Sequence, residues 1–319
     1  MKLDPSQLAL ATRAGLFPPE EVPGRFGGSF EACRRLTRHH AKSFYFSSVA
    51  LPEKKKYAAY AVYAFCRFAD DRIDRAVEEK RDLAGAETEL KGILAQNYAG
   101  QGGEVWSPAF WLTVREYDIP EKYFEDLLRG VLRDRGPVRI RTWEDLHDYC
   151  YHVASVVGLM MSKIFGLRDP AAQEQAIQMG VAMQLTNIAR DVREDMLNDR
   201  IYIPATELER FGVTEEQLRQ GLFDENFRAL MRFQVDRARD HYTRAEPGIR
   251  HLADDGSQLT VWIMSTVYAG ILDEIERVGY DVFRGRVHTG FFRKLWLLFK
   301  AWLRKSRTLP ADLSRIVRD

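Results

Sequence analysis

Long stretches of this chain run free of proline, almost free of glycine, and repeat their apolar residues at helical intervals. The segment "EKKKYAAYAVYAFCRFADDRIDRAVEEK" (53–80) is the plainest case. Others are "FEACRRLTRHHAKSFYFSSVAL", "RTWEDLHDYCYHVASVVGLMMSKIFG", "PAAQEQAIQMGVAMQLTNIARDVREDMLN" and "SQLTVWIMSTVYAGILDEIERVG". Alternating apolar and polar residues, the mark of a half-buried strand, are scarce, and no strand–helix alternation or repeat stands out. The pattern predicts a single all-α domain over 1–319, with roughly ten helices.

Local signals place several helix ends. Thr142 and Asp145 have capping-box spacing, and Gly166 is a stop signal for the same helix. Pro170 suits a first helical turn, Ser257 reads as an N-cap, and Gly279 ends the segment that Ser257 opens. "NYAGQGGEVWSP" reads as a glycine-rich loop, and 1–28, with four prolines and a Gly27–Gly28 pair, as irregular structure.

Composition narrows the function classes. At 45% hydrophobic and 29% charged residues the chain can fill a large core, and a net charge of +1 carries no nucleic-acid signal. Cys33, Cys66 and Cys150 are odd in number and form no C-x-x-C pair, which argues for a reducing compartment and against a zinc cluster. The first residues lack the apolar core of a signal peptide and no apolar run is long enough to span a bilayer, so a cytoplasmic protein is expected.

Two acidic clusters break the pattern of ordinary amphipathic helices. In "YAFCRFADDRIDR", Asp70 and Asp74 share a helix face with Asp71 at its flank, Arg67 sits one turn earlier, and the preceding residues look buried. In "QLTNIARDVRED", Gln184, Asn187, Asp191 and Asp195 follow at intervals of three, four and four, a polar stripe on an otherwise apolar segment. Such groups facing a core without partners would cost about 1–3 kcal/mol each. One reading is a solvated face bridged by Arg67, Arg72, Arg190 and Arg193. The other is a site for two or three metal ions, favoured because two such pairs each follow an apolar helical segment. All-oxygen ligands favour Mg²⁺ or Mn²⁺ over zinc, and Mg²⁺ commonly completes its octahedron with water and substrate phosphates. Facing acidic helices could therefore bind a diphosphate through bridging ions. His39, His40, His147 and His152 lack ligand spacing and read as surface or core-edge residues.

Five motifs in order, "HHAKSFYFSSVALP", "YAVYAFCRFADDRID", "YCYHVASVVGLM", "MQLTNIARDVREDMLNDRIYIP" and "YAGILDEIERVGYDVFRGRV", resemble the squalene/phytoene synthase family from about residue 38 to 300. The resemblance implies an isoprenoid synthase helical bundle with a central cavity, and Mg²⁺-dependent head-to-head (1′–1) condensation of two prenyl diphosphates through a cyclopropylcarbinyl diphosphate. Geranylgeranyl diphosphate converted to phytoene is the leading expectation. A C30 product from farnesyl diphosphate (dehydrosqualene, squalene or presqualene diphosphate) is the alternative, with NADPH needed only for squalene. A non-catalytic assembly-factor relative would lack the aspartates present here.

By the same resemblance Asp70, Asp74, Asp191 and Asp195 are Mg²⁺-associated, with Arg67 and Asn187 as their diphosphate- and metal-site partners and Gln184 beside them. Ser43 and Arg286 are expected near phosphate, and Tyr149, Val153, Ala154, Gly158 and Tyr268 along the hydrocarbon channel. Phe44, Tyr63, Phe65 and Tyr268 could face a migrating positive charge, or be plain core. Ala41 and Ser155 depart from the family pattern.

The segment 290–305 is basic and amphipathic. It reads either as a helix in a membrane interface, where a hydrocarbon product could leave, or as a terminal helix packed on the domain.

Overall fold

The computed structural model describes residues 25–285 except 80 and 135, together with Leu297, Ala301, Arg304 and Lys305. The first helices are α1 (Arg25–His40), α2 (Lys42–Ser47), α3 (Glu53–Glu78), α4 (Leu83–Tyr98), α5 (Ser107–Glu116) and α6 (Glu121–Val131). After β1 (Val138–Arg139) come α7 (Trp143–Cys150), a π-helical turn at Tyr151–Ser155, α8 (Val156–Phe165) and α9 (Gln173–Leu197). β2 (Arg200–Ile201), α10 (Ala205–Phe211), α11 (Glu215–Gln220), α12 (Glu225–Ala245) and α13 (Ser257–Arg277) follow. The two-residue strands pair in parallel, Val138 with Arg200 and Arg139 with Ile201, and the architecture is all-α as the sequence predicts.

The long helices obey their local signals. Thr142 Oγ1 accepts from the Asp145 N–H (3.2 Å) while Asp145 accepts from the Thr142 N–H (3.0 Å), a complete capping box for α7. Gly166, at φ 75°, closes α8 in the left-handed conformation that favours glycine. In α3 the side chains of Ala58, Ala59, Ala61 and Ala64 are all fully buried, so neighbouring helices approach its backbone closely.

Three local expectations are revised. The segment 30–51 is not one helix: the chain breaks at Ala41 (φ −124°, ψ 57°) and resumes as α2. Ser257 is the first residue of α13 rather than its cap. Gly256 (φ 104°) holds the cap position, where any Cβ would lie 1.9 Å from the Ala50 carbonyl oxygen, and Asp255 accepts from the Ser257 N–H and hydroxyl. The helix expected across 141–166 is continuous, but its middle widens into the π turn. There α9 approaches so closely that a Cβ on Gly180 would lie 2.5 Å from Ser155 Cα, and Ser155 Oγ donates to the Ile177 carbonyl (2.9 Å).

Two apolar clusters form the core. One joins α1, α3–α6, α8 and the first half of α13, and centres on Phe65, Phe110 and Phe124, whose rings lie 4.9–5.1 Å apart. Phe65 is fully buried among them, so it is core. The other cluster joins α7, α9–α12 and the second half of α13. Met179 packs against both, which puts the cavity described below along their seam.

Of the basic segment 290–305, the four described residues lie on the protein body. Leu297 and Ala301 are buried, Leu297 over Gly270, while Arg304 pairs with Glu246 (2.8 Å) and Lys305 with Asp254 (2.6 Å). No helix among the described residues is long and apolar enough to cross a membrane.

Candidate active site

A cavity runs beside α9, enclosing ≈ 1050 Å³ of empty space when its open mouth is included. Along α9 its wall descends from Asn187 and Gln184 through Met183, Gly180, Met179 and Ala176, and reaches Ala172 in the short turn just before the helix. Helix α8 and the π turn form the opposite wall, antiparallel to α9: Ala154 lies against Gly180 and Gly158 against Ala176. Tyr268, Met264 and Val261 of α13 supply a third side, and Phe165, Leu167 and Leu252 close the far end. The Ala253 N–H donates to the Phe165 carbonyl (3.2 Å), tying that end together.

None of Arg67, Asp70, Asp74, Asp191 and Asp195 lines the cavity; both acidic helices adjoin its polar end through Tyr268, which lies within electrostatic reach of Tyr63 on α3 and Arg190 on α9. On α3, Arg67 pairs with Asp71, one turn on, and its Nε is buried without a hydrogen-bond partner. Tyr63 lies within electrostatic reach of Arg67, Asp70 and Tyr268, and burial pushes its phenol up to about 12. Tyr268, raised by burial against the opposing pull of Arg190, links this group to α9. Phe44 of α2 adds its ring 6.1 Å from that of Tyr63. On α9, Arg190 clasps its neighbour Asp191 with two nitrogens, Nε at 2.7 Å from Oδ1, and both side chains are only 16% exposed. Burial works against the Arg190 charge, and the Asp191 carboxylate more than restores it. Asn187 Nδ2 points to Gln184 Oε1 at 3.4 Å.

The sequence-predicted residues divide accordingly. Val153, Ala154, Gly158, Gln184, Asn187 and Tyr268 line the cavity. Arg67, Asp70 and Asp74 lie on the last three turns of α3, Asp70 half-buried and Asp74 exposed. Ser43 is half-buried in α2, beside Phe44. Asp195, one turn past Asp191, borders a small crevice with Arg200 and Tyr202 rather than the cavity.

Tyr149 is not on the wall: it is buried and stacks on Tyr202, ring centroids 5.0 Å apart. Regular helix spacing would put Tyr149 above Val153, but the intervening π turn shifts the register. Arg286 lies outside the described residues. Among the described residues no three His, Cys, Asp or Glu side chains converge closely enough to hold a metal ion alone.

Two groups of site residues escaped the sequence reading. Arg190 reads there as a bridge for a wet face, whereas its side chain is largely buried, bonded to Asp191 and within electrostatic reach of Tyr268. The methionine and small-residue wall (Met179, Met183, Ala172, Ala176) continues downward the stripe that Gln184 and Asn187 begin. Its spacing of three and four was the signal.

A helical fold with a long apolar cavity whose polar end, at Asn187, lies one helical turn from the Arg190–Asp191 pair defines a class: enzymes that handle a long hydrocarbon bearing an anionic head. The family model described as "Squalene/phytoene synthase" matches residues 37–293, and the chain belongs to that family of divalent-metal-dependent prenyltransferases. A 15-cis-phytoene synthase of Synechococcus elongatus is 36% identical over 298 residues, 90% of this chain and 96% of that one. A phytoene synthase of Thermus thermophilus is 35% identical, over 89% of this chain and 96% of its own. Among solved structures, a dehydrosqualene synthase in complex with ligand superposes at a TM-score of 0.82 with 28% identity, covering 88% of this chain and 98% of that one. A squalene synthase of Alicyclobacillus acidocaldarius superposes at 0.74 with 29% identity, over 82% and 98%.

Proposed function

We propose that this protein condenses two molecules of geranylgeranyl diphosphate 1′–1, through a cyclopropylcarbinyl diphosphate, to phytoene. The observation that carries this reading is the long apolar cavity whose polar end, at Gln184, Asn187 and Tyr268, adjoins Arg190 of α9 and Tyr63 of α3. A prenyl chain would lie along α9, with its diphosphate among Arg67, Asn187 and Arg190. Relatives named phytoene synthase support the C40 product, while the solved structures named for C30 products keep farnesyl diphosphate as the second reading.

The donor set suits Mg²⁺ or Mn²⁺: Asp70, Asp74, Asp191, Asp195 and Asn187 offer only oxygen ligands. Their spread fits an ion that takes one or two carboxylates and fills its remaining positions with water and phosphate oxygen. Bound there, the metal would draw charge from the diphosphate and make it a better leaving group.

The chain's own residues would do the rest. The Arg67 Nε, a buried donor lacking an acceptor, would gain one from a phosphate oxygen. When the C1–O bond breaks, the electron pair leaves with the diphosphate, and the allylic cation is left beside Tyr268 and the methionines, shielded from water. Bond formation with the second chain and loss of one proton give the cyclopropyl intermediate. A second ionisation, rearrangement and proton loss give phytoene without a reductant. Ser43 and Arg286 are assigned to phosphate contact.

The test is incubation of purified protein with Mg²⁺ and either farnesyl or geranylgeranyl diphosphate, with and without NADPH, and identification of the hydrocarbons. Phytoene from the C20 substrate without NADPH is expected. Product from the C15 substrate alone would overturn the assignment.

A further inference from the structure

The cavity wall changes character with depth. Near its mouth it is built from Met179, Met183 and Tyr268, and at its far end Phe165 and Leu252 close it. Between them lies a band in which α8 and α9 present only Gly158 and Ala176 to each other, with Val157, Met161 and Ser162 also lining the cavity. Ala176 faces Gly158, and a Cβ on Gly158 would lie 3.0 Å from the Ala176 carbonyl oxygen. Ala172 and Gly248 continue the band below them.

From these heights we infer that Ala176 is the residue that sets prenyl chain length. The inference rests on reading this cavity as the prenyl-chain site. Ala176 lies eleven residues below Asn187 on α9, or ~16 Å at 1.5 Å per residue, and Ala172 about 22 Å below it. With an advance of about 1.25 Å per C–C bond, an extended farnesyl chain spans ~14 Å and a geranylgeranyl chain ~19 Å. A chain whose head sits at Asn187 therefore ends its third isoprene unit above Ala176, and passes Ala176 with its fourth. A bulky side chain there fills the space of the fourth unit and leaves the first three untouched. Size is the whole requirement at this position, since Ala176 contributes only a methyl group and takes no part in the polar end of the site.

The experiment measures kcat/KM for both substrates with the full-length chain and Mg²⁺, comparing wild type with Ala176→Phe, Ala176→Leu and Ala172→Leu. Ala176→Phe is expected to lose about tenfold or more with geranylgeranyl diphosphate while staying within about threefold with farnesyl diphosphate, the range set by adding or removing apolar groups in a pocket. Ala176→Leu should shift the ratio in the same direction by less, and it decides the question if the phenylalanine variant does not fold, while Ala172→Leu, beyond the reach of the C20 chain, should leave the ratio unchanged. Equal losses with both substrates, or no change in the ratio in either Ala176 variant, overturns the ruler. A wild type that rejects geranylgeranyl diphosphate sinks the proposed substrate instead, so the two failures appear in different lanes of one experiment.

Discussion

The two acidic helices carry similar carboxylate spacings but hold them differently. On α3 the carboxylates sit at the wet end of a long buried helix: Asp74 is exposed, and Arg67 and Asp71, its ion-pair partner, are each about a third exposed. On α9 the charges are sunk into the protein, with Arg190 and Asp191 16% exposed and bonded through two nitrogens. A solvated pair contributes little, because water screens it and its side chains must be ordered to meet. A buried pair depends on each partner, since either charge left alone is stranded in a poor solvent. The first arrangement is free to rearrange around an incoming ligand, and the second is preset.

The sharpest way to break the comparison is to neutralise one acid on each side. Asp70→Asn and Asp191→Asn should each lower turnover by about 10²–10³, the loss seen when a group stabilising developing charge is removed, with the fold retained by circular dichroism. Unchanged turnover in either variant would remove that helix from the metal-site assignment. Next come the arginines. Arg190→Ala should cost about 3–5 kcal/mol of stability in denaturant titrations by stranding Asp191, and Arg67→Ala less than about 1 kcal/mol. Similar losses for both would show that the burial contrast has no energetic meaning.

A smaller effect concerns ligand linkage. Mg²⁺ with inorganic diphosphate should raise the melting temperature of the wild type, and less so that of Arg67→Ala, whose buried donor would be gone. An identical rise in both would take Arg67 out of the anion site. The smallest expected effect is on pH. His241 of α12 is held down to about 4 by burial first, then by Arg244, His147 and Arg237, and its Nδ1 bonds the Gln178 side chain of α9 at 2.6 Å. Its folded value lies below the unfolded one, so the unfolded chain takes up the proton first. Stability present above about 6.5 should therefore fall as pH drops from there toward 4. His241→Gln should flatten that slope, and an unaltered slope would assign it to other groups.

Much of this was legible in the sequence, and what was not has physical causes. The helices announced themselves because burial on one face forces a 3.6-residue repeat, and capping signals such as Thr142–Asp145 are local. The cavity-facing stripe through Gln184 and Asn187 was legible for the same reason. The break at Ala41 was not, because no glycine or proline marks it. Arg190 was hard to place because a charged residue looks the same in a string whether it faces water or a neighbouring carboxylate. Tyr149 left the wall because the turn after it holds one residue more than helical spacing assumes, and that surplus leaves no trace in composition.

That surplus residue has a consequence of its own. Ser155 and Gly180 touch backbone to backbone where the turn between Tyr151 and Ser155 widens. Such a turn takes up its extra residue almost without changing the phase of the helix, so α8 keeps nearly the orientation an unbroken helix would give it. Deleting one of those five residues should therefore leave Gly158 opposite Ala176 and act on the seam with α9 instead. Stability in denaturant titrations should fall while substrate preference survives, and a changed preference would show that the turn sets the phase of α8.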